Sequence, residues 1–339
     1  MLLDRPAPFA LPAQNEARTP PEARGIARDA VKLLVTPRNG APSRHRIFSE
    51  LPGELTARDL LVVNDSATIP AALEMNRWED GASVAVHFST QIAAGLWIAE
   101  PRERAQAGEQ LTRPDGASVT LLAPAAPPSS RLWFAHVDGI DDVTAYLQQH
   151  GRPIRYAYVE GRWPISDYQT IFARLPGSAE MPSAARPFTA RVLAGLAGAG
   201  VGIATLTLHA GVASGEDGEA PPLEWYHVPL QTVHAIEATR RRGGRVIAVG
   251  TTVVRALESA AAQNGGTLAP AAAFTDLVVG PERGVRTVDG LLTGFHEPRA
   301  THLHMLAAFI APASLERAYA QAIEHSYLWH EFGDVQLIV

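Results

Sequence analysis

The 339-residue sequence contains no cysteine and a single lysine, Lys32. The first absence removes disulfide staples, thiolate zinc sites and cysteine nucleophiles together. The second leaves cationic contacts to arginine, whose planar fork suits phosphates and carboxylates. No uninterrupted apolar run reaches the roughly eighteen residues that a membrane-spanning helix needs. The opening MLLDRPAPFALPAQNEARTP has an acidic residue and prolines where a secretory leader carries a basic start and an apolar block, so the expectation is a cytoplasmic protein. The formal net charge of −6 excludes a dedicated nucleic-acid coat, so any polyanion has to be met by a local patch.

With 46% hydrophobic and 19% charged residues, the chain can bury one large core or divide into two domains. Short apolar runs at Leu60–Val63 and Ile203–Leu208 end in polar residues, and Pro187–Ala199 and Thr252–Gln263 carry helical patterns, a texture of alternating strands and helices. Between Met75 and Asp138 the texture changes to short alternating pieces, ASVAVHF, GLWIAE, ASVTLLA and RLWFAHV, separated by turn signals; these predict antiparallel strands without a long helix. The expected architecture is a discontinuous α/β domain, residues 1–74 and 151–339, that carries the site and is interrupted by an antiparallel β-barrel at 75–150. The polar, Gly- and Pro-rich stretch Gly215–Trp225 reads as a functional or mobile loop.

One junction concentrates chemistry. RVIAV, Arg245–Val249, reads as a buried strand, Gly250 permits a tight turn, and Thr251 or Thr252 can cap the helix that follows. Strand, glycine turn and helix start together place unpaired amides and a helix dipole before a negative or strongly polar group. The plainer reading is an ordinary capped helix with Arg255 and Glu258 as a surface pair at i,i+3. Three further strand ends deliver polar groups: Asn64 and Asp65, His209 and Gly211, Thr293 and His296. In α/β sheets ligands sit beyond the carboxyl ends of strands, so these ends are candidates together more than singly.

Other motifs fail on context. GAGVGIA at Gly198–Ala204 precedes its strand and has Ile203 where a third glycine is needed for a dinucleotide loop. In GVASG, Ser214 stands one position late for a nucleophile elbow. His302 and His304, two apart in a helical run, face different directions, and no metal site is expected. The dense basic cluster Arg240–Arg245 is either a solvated turn or a phosphate contact.

Taken in order, ELPGELTARDLLVVNDSATIPAAL, WIAEPRERAQAGEQL, DYQTIFA, TLTLHAG, GGRVIAVGTTVVRALES, LLTGFHEP, THLHMLAAF and FGDVQLIV resemble the S-adenosylmethionine:tRNA ribosyltransferase-isomerase family of queuosine biosynthesis. The resemblance implies transfer of the ribosyl part of S-adenosylmethionine to a 7-aminomethyl-7-deazaguanine base in a tRNA anticodon arm. It proceeds by loss of a proton beside the sulfonium, departure of adenine, attack of the amine and closure of an epoxide as methionine leaves, giving epoxyqueuosine. S-adenosylmethionine is then substrate, no separate cofactor is expected, and the enzyme is expected to act as a monomer. On this resemblance His209 and His296 supply acid and base. Asp65, counted with them among the catalytic groups, and Asn64 hold sugar hydroxyls or the acceptor amine. Gly211, Gly250, Thr251, Thr252, Arg255 and Thr293 bind substrate, and Arg240, Arg241 and Arg242 meet the tRNA. The chain departs from the family pattern at Ala67, Ala72, Pro187, Pro229 and Leu328, with Arg186, Glu224 and Glu331 as replacement polar groups. An alternative is a divergent paralogue that binds S-adenosylmethionine or a related nucleoside with altered or lost tRNA activity.

Overall fold

A computed structural model describes residues 9–127, 129–212 and 221–339. The chain opens with β1 (Lys32–Thr36), β2 (Arg44–Ile47), β3 (Leu60–Asn64) and β4 (Ser66–Thr68). Six strands follow, β5 (Ala72–Arg77), β6 (Ser83–Ala93), β7 (Leu96–Pro101), β8 (Gln110–Thr112), β9 (Ser118–Ala126) and β10 (Ser129–Asp138). Then come α1 (Val143–His150), β11 (Leu175–Ser178), α2 (Ala190–Gly198), β12 (Gly202–Leu208), β13 (Glu224–Val228), α3 (Leu230–Arg241), β14 (Val246–Val249) and α4 (Thr251–Gln263). The chain closes with β15 (Ala271–Thr275), β16 (Gly290–Gly294), α5 (Thr301–Leu306), α6 (Pro312–Glu324) and β17 (Val335–Ile338).

Nine strands form one mixed sheet in the order β15-β13-β12-β3-β14-β16-β17-β1-β2, and β5 to β10 close into an antiparallel barrel. At the centre, β12, β3, β14 and β16 run parallel, with Val62 opposite Ala204 and Ala248. A parallel sheet must be covered on both faces, and the two central apolar runs divide accordingly. Leu60, Val62, Val246 and Ala248 pack with Val253 and Leu257 of α4. Leu61, Val63, Ile247 and Val249 pack with Val192 and Leu196 of α2. The α/β texture and the inserted barrel read from the sequence are both present, and the runs at 60–63 and 246–249 are neighbours in one sheet.

Barrel strands point alternate residues inward. Leu73, Met75, Val84, Val86, Trp97, Val119 and Leu121 share one core, and Phe88 meets Trp97 edge to face at 5.6 Å. The barrel is fastened to the sheet at the end of β12. Val212 joins the barrel core and its amide donates to Ser89 Oγ at 2.9 Å. A Cβ on Gly211 would come within 2.5 Å of that hydroxyl, so the approach requires glycine there.

Two local expectations are corrected. Helix α2 starts at Ala190 rather than Pro187, because Thr189 is its N-cap and accepts from the Val192 amide. Helix α4 has no side-chain cap; Gly250 occupies the N-cap position at φ 96° and ψ 151°. Of the expected loop Gly215–Trp225, residues 215–220 lie outside the described residues, as does Ser214; Glu224 and Trp225 already belong to β13.

Candidate active site

Because β12, β14 and β16 run parallel, their carboxyl ends open on one edge of the sheet, and a cavity of about 490 Å3 lies there beneath the barrel. Gly250, Thr251 and Thr252 supply one wall, Thr293 and His296 a second, Gly211 a third. The absence of a side-chain cap now has a consequence: the first turn of the thirteen-residue helix α4 borders the cavity with its amides available to an anionic ligand group.

His296 and His302 stack at 4.4 Å with their rings 2° from parallel. Thr293 Oγ1 lies 2.8 Å from His296 Nε2. Burial, with His302 beside it, holds the His296 imidazole far below its ordinary range. Burial and the nearby Arg255 guanidinium bring His302 down to about 4. Both rings are therefore neutral at neutral pH and each retains a nitrogen able to accept a proton.

The facing wall is aromatic and acidic. Tyr158 stacks on His330 at 3.7 Å and 9°, with Tyr156 a further 5.8 Å from Tyr158. The Tyr158 hydroxyl donates to Glu331 Oε2 at 2.6 Å, and that of Tyr156 donates to Glu180. Burial pushes the Glu331 carboxyl up, against the lowering influence of the Tyr158 hydrogen bond. A carboxyl of this kind can deliver a proton. His330 adopts φ 74°, an uncommon conformation for a non-glycine residue, immediately before Glu331.

Beneath the floor, Arg255 and Glu224 are both buried and form an ion pair. Glu224 also accepts the Gly211 amide at 2.8 Å. The i,i+3 surface pair read from the sequence does not form: Glu258 is fully buried and instead holds Arg283, the Thr287 hydroxyl and two backbone amides. Arg255 lines the cavity, yet its guanidinium also donates to the carbonyls of Leu277, Thr275 and Pro222. It holds the floor in place.

Seven expected site residues thus share the cavity: Gly211, Gly250, Thr251, Thr252, Arg255, Thr293 and His296. Asn64, Asp65 and His209 do not line it. Asn64 bonds both backbone groups of Leu208. Asp65 accepts from the Thr207 hydroxyl at 2.6 Å and from Arg174 at 2.7 Å. His209 bonds Ser66 Oγ at 2.7 Å and stacks on Trp225, and burial lowers it to about 4. Internal partners occupy these three side chains, which bind the β3–β4 corner to β12. Arg240, Arg241 and Arg242 sit before β14, at the opposite end of that strand from Gly250. Among the replacement groups, Glu224 and Glu331 both line the cavity, whereas Arg186 is held by Glu22 and the Asp167 carbonyl over the Phe332 ring.

Sequence reasoning missed Tyr156, Tyr158, His302 and His330. The two tyrosines, two apart in RYAYVEG, carried a weak signal for one face of an extended segment. The i,i+2 spacing of His302 and His304 carries no signal for a ring that faces another histidine. His304 indeed points elsewhere, to Glu282 at 3.3 Å, but His302 faces His296. Among the described residues no group of three or more His, Asp or Glu side chains is arranged to hold a metal ion.

Comparison with known proteins places this geometry. Residues 7–338 match the family described as "Queuosine biosynthesis protein". The S-adenosylmethionine:tRNA ribosyltransferase-isomerase of Xanthobacter autotrophicus is 34% identical, over 98% of this chain and 97% of its own length. The protein of the same name from Gloeobacter violaceus is 35% identical, over 98% and 94%. Among solved structures, S-adenosylmethionine tRNA ribosyltransferase from Thermotoga maritima matches with a TM-score of 0.55 and 29% identity, covering 98% of this chain and 99% of that one. With an inserted barrel, a cavity at the strand ends and a match along almost its whole length, this chain belongs to the queuosine biosynthesis family.

Proposed function

We propose that the chain transfers the ribosyl moiety of S-adenosylmethionine to a 7-aminomethyl-7-deazaguanine base in tRNA, forming epoxyqueuosine with release of adenine and methionine. The observation that carries this reading is the meeting, in one cavity, of an uncapped helix start, two neutral histidines and a half-buried Tyr158–Glu331 pair. Each answers a demand of the reaction. The amides of Thr251 and Thr252 suit the methionine carboxylate. His296, oriented by Thr293, is the base that takes the proton beside the sulfonium. Glu331 protonates departing adenine, and the tyrosine wall offers a face to a base or to the sulfonium cation. His209 and Asp65 support the site from behind. Any phosphate met by Arg240, Arg241 and Arg242 belongs to RNA remote from the reacting base.

No helix among the described residues is long and apolar enough to cross a membrane. A tRNA substrate puts the enzyme in the cytoplasm. We infer that it works as a monomer and uses no cofactor beyond S-adenosylmethionine as substrate. The test is adenine release from S-adenosylmethionine, with tRNA carrying the aminomethyl base and with tRNA lacking it. Release is expected with the first only, and His296→Asn should slow it by roughly 10²-fold or more. Donor binding without adenine release in the presence of the modified tRNA would overturn the reading.

A further inference from the structure

The base and the acid of the proposed reaction stand on different elements. His296 follows the end of β16, and Glu331 lies in the turn that leads into β17, the antiparallel neighbour of that strand. A base and an acid that serve one substrate need a fixed relation to each other, so the two walls must be tied.

Trp329 makes that tie. Its side chain is fully buried, and its Nε1–H donates to the His296 carbonyl at 3.0 Å. The His296 amide donates to the Tyr319 hydroxyl at 3.3 Å. Both backbone groups of the base are thus held by aromatic side chains, which meet each other edge to face at 5.9 Å. Phe9 packs on the two of them, 5.1 Å from Tyr319 and 6.1 Å from Trp329. The Trp329 main chain is fixed as well: its amide donates to the Asn15 carbonyl at 2.7 Å, and its own carbonyl accepts the Ala17 amide at 3.2 Å. The N-terminal segment therefore straps the turn. Directly after Trp329, His330 adopts φ 74°, and a Cβ on Gly333 would come within 2.3 Å of the Leu328 carbonyl oxygen, so the turn closes only with glycine there. A non-glycine residue stays in the left-handed region where its surroundings over-determine it, and such residues cluster at functional sites. His330 Nε2 also lies 3.3 Å from Glu297 Oε1, but without the alignment of a hydrogen bond.

We propose that Trp329 is a positioning residue that couples the base to the acid: its indole N–H sets the backbone of His296, and its main chain carries the His330–Glu331 turn. Phe9 and the Asn15–Ala17 strap hold it in place, so the N-terminal segment supports the site although none of its described residues lines the cavity. The inference rests on the reading of His296 and Glu331 as the two acting groups.

The test measures adenine release by the full chain with modified tRNA. Trp329→Phe keeps a ring in the core and removes the donor; Tyr319→Phe removes the hydroxyl that accepts the His296 amide. Each should lower kcat by roughly tenfold, because a small misplacement of a reacting group is costly. Calorimetric affinity for S-adenosylmethionine should stay within about twofold of wild type, since the tie acts on geometry rather than on donor binding. Phe9→Ala, at the half-buried outer face, should lower kcat by about threefold. In a Glu331→Gln background the loss caused by Trp329→Phe should shrink to within about twofold, because there is no acid left to align. An undiminished tenfold loss in that background would overturn the coupling. So would a Trp329→Phe protein of lowered melting temperature whose folded fraction turns over at the wild-type rate, which is the signature of a core residue alone. Circular dichroism reports folding, and should Trp329→Phe fail to fold, Tyr319→Phe and Phe9→Ala decide, each in both backgrounds. An active wild type beside unimpaired variants sinks the coupling and leaves the ribosyl-transfer reading standing. A wild type inert toward modified tRNA sinks that reading and the coupling with it.

Discussion

Replacing Arg255 with methionine keeps most of the side-chain volume and removes the cation from beneath the cavity floor. Glu224, 5% exposed, is then left with the Gly211 amide as its remaining hydrogen-bond donor. Removing one member of a buried ion pair costs about 3–5 kcal/mol, because the remaining charge stays desolvated without its partner. Arg255→Met should lose that much stability, and Glu224→Leu a similar amount. In the double variant both charges are gone, and the main residual cost is the Gly211 amide left without its acceptor, about 1–3 kcal/mol. The double variant should therefore be more stable than either single one, a strongly non-additive cycle. Urea denaturation followed by tryptophan fluorescence reads this directly, since Trp225 is the neighbour of Glu224 in β13. Because Glu224 positions Gly211 at the cavity, the single variants should also bind S-adenosylmethionine more weakly. An Arg255→Met protein within about 1 kcal/mol of wild type, or a double variant as unstable as the sum of the singles, would show that the pair does not hold the floor.

Three further outcomes are expected. Gly250→Ala should destabilise by about 1–3 kcal/mol, because φ 96° with ψ 151° is nearly closed to residues with a Cβ; it should also weaken donor binding by calorimetry, and an unperturbed variant on both counts refutes the role of this turn. His302 is held at about 4 against an ordinary 6.5, so unfolding takes up a proton in that window. The stability it contributes is complete above pH 6.5 and is lost as the pH falls toward 4, up to about 3 kcal/mol. Asp334, raised to about 6 by burial, works in the opposite direction below that value, so the comparison is with His302→Gln, whose acid limb should be shallower; parallel curves count against a neutral stacked pair. Exhaustive treatment with a chelator should leave adenine release unchanged, and a loss restored by a divalent metal would reveal a metal requirement.

Much of the fold was legible because it is local or periodic. The apolar runs of β3 and β14 alternate between two cores, the turn signals of 75–138 cut short strands, and Gly250 marks a turn that few other residues can make. The ordered motifs placed the chain in its family, and the strand-end rule identified one edge of the sheet, where Gly211, Thr251, Thr252, Thr293 and His296 do meet. Tertiary structure alone decided which polar groups face the cavity. A strand-end residue can point into the ligand space or back into the junction, and Asn64, Asp65 and His209 turn inward because Leu208, Thr207 and Ser66 satisfy them there. Partners distant in sequence were equally hidden. Arg255 looked like the partner of Glu258 one helical turn away, but Glu224, 31 residues earlier, arrives on the neighbouring strand. Tyr158 finds Glu331 across 173 residues. Sequence periodicity records which face of an element is apolar; it does not record which buried charge lies opposite another, because that depends on how the sheet, the barrel and the final turn close on one another.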